Sequence, residues 1–254
     1  MASISNASDT VLKSRIEDTV RLCEKRGAPC FLGFLDEREQ ALTASWLRKC
    51  CPQGSWSLFG GHEEAERQIL GVIPSYFEQA DVSFPLVTVA FCYHGKKMLT
   101  HRDVLGTLLS LGIRRDTVGD ILCDQGLVVV FLRQEIADFV CEQVKKIGGQ
   151  GVTAHRDYDG VLPTLHRYTD ISATIASRRL DVVVKALLGC SREDATQLIR
   201  TALVMVNHQI VQEVSDTVSA GCTLSIRGKG RYVIDQIGPK TKKGRLVLIA
   251  KKCI

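Results

Sequence analysis

The sequence predicts an α+β protein of three units: a small α/β unit over residues 1–80, a β-α-β-β-α-β unit over 81–160, and a C-terminal unit over 170–254. Three observations predict it. The hydrophobic period alternates between that of a strand and that of a helix in a fixed order through the middle of the chain. Two short amphipathic segments separated by a capping box then lead into a strand. Finally, basic charge gathers at the C-terminus, with 14 Lys+Arg against 7 Asp+Glu from Asp170 to Ile254 and 19 against 21 before it.

In the first unit, Leu12, Ile16, Val20 and Cys23 fall on one face of a helix over 9–26, which Gly27-Ala28-Pro29 closes. Phe31 to Leu35 follows. Asp36 with Glu39 three positions later is an N-cap signature for a second helix, Ala41 to Cys50, ending before Pro52. Trp56 to Phe59 reads as a strand running into Gly60-Gly61, and His62 to Leu70 as a third helix.

The second unit opens on the β-rich run Phe84 to Tyr93. A helix over 102–111 carries Val104, Leu105, Leu108 and Leu109, and strands over 119–123 and 127–132 flank Asp124-Gln125-Gly126. A helix from Glu135 to Ile147, the break Gly148-Gly149 and a strand from Val152 to His155 complete a ferredoxin-like, RRM-like order. The strand Gly126 to Leu132 lacks the aromatic signature with which an RRM stacks bases. Base stacking on this sheet is therefore not expected, and a spacer or docking platform suits it as well as RNA contact. Residues 156–177 read as a connector of little periodicity.

In the third unit, Leu180, Val183, Val184, Leu187 and Leu188 mark the buried face of one helix. Ser191 and Asp194 form the S-x-x-D box of the next, with Ala195, Leu198, Ile199 and Ala202 inward. Arg179 and Arg192, at the two helix starts, are expected to project freely and grip phosphates. On that reading, reversing both to glutamate sharply reduces binding and leaves the fold intact. Val204 and Val206 alternate along a strand, Asn207 begins a turn, and a hairpin over 232–250 carries Lys240, Lys242, Lys243 and Arg245.

The remaining composition narrows the class. A chain of 254 residues, 45% hydrophobic and 24% charged, can bury more than one core. The first residues lack a signal-peptide pattern and no apolar run approaches the ~20 residues of a membrane span, so a cytoplasmic protein without membrane contact is expected. The 10 cysteines include no C-x-x-C pair and read as small buried side chains in a reducing compartment.

The helix-helix-strand pattern from Arg178 to Val211 resembles the S4-type RNA-binding domain. It departs from that pattern at Ala202, where the family usually has glycine, at Leu203 and Met205, and at His208-Gln209. Further segments carry a wider resemblance: Phe59-Gly60-Gly61-His62, Glu64-Ala65-Glu66-Arg67, His101 to Gly106, Leu111 to Arg115, Val118 to Ile121 and Arg227 to Arg231. Together they make the chain similar to the YlmH family of bacterial S4-domain proteins. The resemblance implies binding to ribosomal RNA and tRNA on the large ribosomal subunit, in ribosome-associated quality control that rescues stalled translation by alanine tailing.

Expected RNA-binding residues are Arg178, Arg179, Ser191, Arg192, Arg200, Asn207, Lys229, Arg231, Lys240, Lys242, Lys243 and Arg245. Arg102, Arg114 and Arg115 would supply a secondary contact with RNA or a partner. No enzyme is expected, and no cofactor or metal; the protein is read as a monomer. His101-Arg102-Asp103 has Leu108 where a kinase loop needs Asn, and His62-Glu63-Glu64 lacks metalloprotease spacing. The glycines around Lys229 lack Walker spacing. The alternative is an RNA-modifying enzyme, of pseudouridine synthase or methyltransferase type, with an appended S4 domain.

Overall fold

The helical spacing of Leu12, Ile16 and Cys23 produces α1 (Ala2–Arg26), which lays those side chains on the strands that follow. The computed structural model describes residues 2–50, 55–78, 82–164, 168–207, 209–241 and 244–253. They form two compact units, 1–165 and 166–254.

In the first unit β1 (Cys30–Leu35) leads to α2 (Glu37–Cys50), whose start is closed by Asp36 and Glu39 exchanging side-chain bonds with each other's N–H groups. Strands β2 (Ser55–Phe59) and β3 (Gln68–Ile73) complete a three-stranded sheet in the order β1-β3-β2. The expected third helix over 62–70 is instead a set of turns followed by β3. Ile69 to Ile73 is buried throughout, as a central strand covered on both faces must be, and a short continuous apolar run does not distinguish that from a helix.

The second sheet is built from β4 (Leu86–Cys92), α3 (His101–Ser110), a 3-10 turn (Arg115–Thr117), β5 (Val118–Asp124), β6 (Leu127–Arg133), α4 (Gln134–Gln143), the short hairpin β7 (Lys146–Ile147) with β8 (Gln150–Gly151), and β9 (Thr153–Arg156). Its order β5-β6-β4-β9, all antiparallel, is the ferredoxin-like arrangement. Here α4 ends earlier than expected. Val144 turns extended, and Gly148 and Gly149, both at positive φ, reverse the chain into the hairpin. Val104 and Leu108 of α3 and Ala137 and Val140 of α4 cover one face of this sheet.

The other face of the sheet is also covered. Ala90, Leu122, Val129 and Phe131 pack against Phe34 of β1 and Ile69 of β3, with Phe31, Phe84, Tyr158 and Leu162 around them. Burying each large side chain contributes roughly 1.5–3 kcal/mol, whereas a stacked base returns about 1–3 kcal/mol. The face on which a ferredoxin-like RNA-binding sheet would stack bases is thus committed to the core. Two glycines permit the approach. A Cβ on Gly61 would lie 2.4 Å from the Phe131 ring, and one on Gly119 would lie 2.6 Å from that of Phe34.

In the second unit, residues expected as connector supply β10 (Tyr168–Ile175), which pairs along its whole length with β15 (Leu246–Cys253). Its Ser/Thr-rich outward positions mask the alternation, since only Ile171 and Ile175 face the core with large side chains. Helices α5 (Leu180–Leu188) and α6 (Arg192–Arg200) follow, then β11 (Val204–Val206), β12 (Gln209–Ile210), β13 (Thr223–Ile226) and β14 (Gly230–Lys240). The six strands run β10-β15-β14-β13-β11-β12, and Val183, Val184, Ala195 and Ile199 pack with Leu224, Ile234 and Leu248 in one core.

Ala202, between α6 and β11, has φ 59°, which explains why glycine suits this position. A left-handed alanine costs roughly 1–2 kcal/mol, and glycine gives back about 0.4–1 kcal/mol through unfolded-chain entropy. Ala202→Gly is therefore expected to stabilise the C-terminal unit by about 0.5–1 kcal/mol in thermal unfolding.

Candidate nucleic-acid interface

The start of α5 fixes the site. Leu180 turns into the core, so Asp181 enters the first helical turn beside it and is itself buried, its side chain 1% exposed. Arg179 Nε donates to one carboxylate oxygen at 3.1 Å, and Arg192 Nε, at the first position of α6, donates to the other at 2.7 Å. The two guanidiniums expected to project freely are thus held by one buried carboxylate. Their outer faces remain open, with side chains 43% and 61% exposed. Each guanidinium has five N–H donors, so a bond through Nε leaves donors for a phosphate.

Burial pushes the Asp181 carboxyl up, but the hydrogen bonds and charges of Arg192 and Arg179 outweigh it and hold the group below the usual carboxylate range. A carboxyl depressed in the folded state adds stability above its unfolded value, near 3.9, and that stability is lost as pH falls through the folded value. Acid titration followed by chemical denaturation is expected to show the C-terminal unit weakening below about pH 4. The loss should be smaller in Asp181→Asn.

Other predicted residues join this surface. Ser191 and Asp194 close the capping box at α6, orienting the turn that carries Arg192. Glu213 is held below the usual carboxylate range by the hydroxyl and N–H of Ser215, and Arg179 and Arg200 add to the effect. That places Arg200 in the same electrostatic neighbourhood. Arg178 is exposed yet turned towards the sheet, donating to the Ile237 carbonyl at 3.3 Å. Lys229 lines a cleft of about 510 Å³ with Leu188, Asp194, Gln197 and Thr201.

The basic residues of the hairpin do not form one cluster. Lys229 and Arg231 lie at the start of β14 and Lys240 at its end, roughly 33 Å apart by strand rise. Lys240 and Arg245 face the end of the sheet where β10 runs into Arg178 and α5. Lys242, Lys243 and His208 lie outside the described residues. Asn207, at φ 47°, uses its side-chain oxygen on the Thr223 N–H at 2.9 Å and so holds the turn. The residue missed in the sequence is Asp181. Its signal was a carboxylate bordering the apolar face of α5, between two arginines.

In the first unit the three secondary candidates part company. Arg102 is exposed at the start of α3, Arg114 bonds Asp116, and Arg115 is drawn inward onto the Val118 carbonyl. Burial and neighbouring Arg67 lower Arg115 to about 10. His62 and Asp120 form part of the same network. Asp120 accepts from His62 Nε2 at 3.0 Å, the Glu66 N–H at 2.8 Å and the Arg67 N–H at 3.0 Å. Arg67 in turn donates to the carbonyls of Val118 and Phe34. His101-Arg102-Asp103 begins α3, Asp103 completing a capping box with Thr100. Among the described residues no group of three or more His, Cys, Asp or Glu is placed to hold a metal. Nor is any described helix long and apolar enough to cross a membrane.

Comparison with known proteins agrees with this layout. Residues 78–158 match the family model of the YlmH RNA-binding domain, and residues 178–223 match the S4 domain. The chain is 31% identical over 218 residues to the ribosome-associated protein quality control protein P2 of Bacillus subtilis (strain 168), covering 84% of this chain and 82% of that one. The solved structure of the cell division protein YlmH from Streptococcus pneumoniae shares the fold, with a TM-score of 0.52 and 20% identity, over 59% of this chain and 90% of that chain.

Proposed function

Because the chain belongs to the YlmH family of S4-domain proteins, we propose that it is a non-enzymatic RNA-binding protein of the bacterial cytoplasm. It docks on ribosomal RNA and tRNA of the large ribosomal subunit and serves ribosome-associated quality control, the rescue of stalled translation accompanied by alanine tailing. The observation that carries the reading is the Arg179-Asp181-Arg192 clamp. A buried carboxylate orients two guanidiniums before any ligand arrives, so less side-chain entropy is lost when phosphates bind. The surrounding unit is strongly basic, with 15 Lys+Arg against 7 Asp+Glu over residues 166–254. Such a surface draws affinity from phosphate contacts and specificity from RNA shape.

The non-enzymatic reading is supported by the use made of the reactive groups in the first unit. His62 and Asp120 satisfy one another and the adjoining backbone, and burial pushes the Cys123 thiol up to about 11. Sucrose-gradient fractionation of cell lysate tests the proposal. The protein is expected to travel with large subunits at low salt and to be released as salt rises. Absence from large-subunit fractions at low salt would overturn it.

A further inference from the structure

The first unit matches an RNA-binding family model, yet the sheet face that would stack bases is filled by Phe34 and Ile69. Any RNA contact of this unit must therefore use another surface. The unit carries 18 Lys+Arg against 21 Asp+Glu over residues 1–165, so it offers no general attraction for phosphate. Its cations are unevenly placed. Residues 94–102 hold Lys96, Lys97 and Arg102 without a carboxylate, and residues 144–152 hold Lys145 and Lys146 without one.

The fold brings these two segments to the same end of the ferredoxin-like sheet. Gln150, in the β7–β8 hairpin, donates its side-chain amide to the Lys97 carbonyl at 2.7 Å, and Gln125 donates to the Gly95 carbonyl at 2.7 Å. A Cβ on Gly148 would lie 3.2 Å from Asp103 and Leu99, so the hairpin tip rests on the start of α3. Asp103 is spent on the Thr100 N–H and hydroxyl, and Lys97 and Arg102 both bear on its charge. Lys145 caps the end of α4 through the Cys141 carbonyl at 3.3 Å. Lys96 and Lys97, on a loop braced by side-chain amide bonds, Arg102 in the first turn of α3 and Lys146 in β7 are all exposed.

We propose that this basic loop end, Lys96, Lys97, Arg102 and Lys146, is a second RNA-contacting surface that grips the phosphate backbone. This rests on the reading of the protein as an RNA binder and adds a site in the first unit. Exposed cations gathered at one braced end of the sheet suit phosphate contact, which is insensitive to sequence and steeply dependent on salt. The surface therefore anchors the protein, and base identity is not read there.

The test is filter binding of the full chain to deproteinised large-subunit ribosomal RNA over a salt series. Each phosphate contact on duplex contributes about 0.9 to the slope of log affinity against log salt. The Lys96→Gln, Lys97→Gln, Arg102→Gln, Lys146→Gln variant is expected to lose roughly two to four units of slope and about tenfold or more in affinity at low salt. The single variants Lys97→Gln and Lys146→Gln, which scarcely perturb folding, should each lose about 0.9. Unchanged slope and affinity in the quadruple variant, while neutralising the Arg179-Asp181-Arg192 clamp weakens binding, would overturn the second surface alone. If neither change weakens binding, the RNA-binding reading itself fails.

Discussion

Replacing the clamp as a unit, Arg179→Gln with Arg192→Gln and Asp181→Asn, lowers affinity for large-subunit ribosomal RNA by about ten- to a hundredfold and reduces the salt slope by roughly two. The third substitution matters. Reversing the two arginines alone would leave a buried carboxylate facing two new negative charges, and such an uncompensated group destabilises by several kcal/mol. Loss of binding would then report unfolding. The triple variant removes two positive charges and one negative charge while keeping groups that can hydrogen-bond. Its folding is checked by thermal denaturation and its affinity by filter binding at several salt concentrations. A correctly folded triple variant with the affinity and slope of the original protein would remove the clamp from the interface.

Asp120→Ala has the largest expected effect on stability, about 3–5 kcal/mol. It leaves the His62 ring and two backbone N–H groups without their acceptor and removes the carboxylate beside two inward-turned arginines. Against a typical stability of roughly 5–15 kcal/mol, that is enough to loosen the covering sheet. Both tryptophans, Trp46 and Trp56, lie in this unit, so urea denaturation followed by tryptophan fluorescence reports it selectively. The C-terminal unit contains none of these groups. RNA affinity through the clamp should persist while the fluorescence midpoint falls; an unchanged midpoint would mean that the network does not hold the cover.

What could be read from the sequence was local. The boxes at Asp36/Glu39 and Ser191/Asp194 depend on residues three apart, and both close as the spacing requires. The ferredoxin-like order and the two C-terminal helices follow from period changes within single segments. What was hidden depended on partners far along the chain. The strand Gln68–Ile73 is buried because strands lie on both sides of it, and Tyr168–Ile175 is a strand because Leu246–Cys253 pairs with it. Asp181 could be seen as a residue between arginines, but the ion pair with Arg192 exists only once α5 and α6 pack. The basic hairpin is contiguous in sequence yet splits between two ends of an 11-residue strand. The covering of the middle sheet left only an absent aromatic signature to read.

The proposed interface holds RNA on the C-terminal unit through helix-start arginines on a shared carboxylate. Ultraviolet crosslinking in cells, with mapping of both the RNA positions and the crosslinked peptides, tests it most directly. The expected result is adducts to ribosomal RNA and tRNA on peptides spanning 178–207 and 227–245, lost in the neutral clamp variant. Adducts that persist undiminished in that variant, or an absence of ribosomal RNA among the crosslinked species, would contradict it.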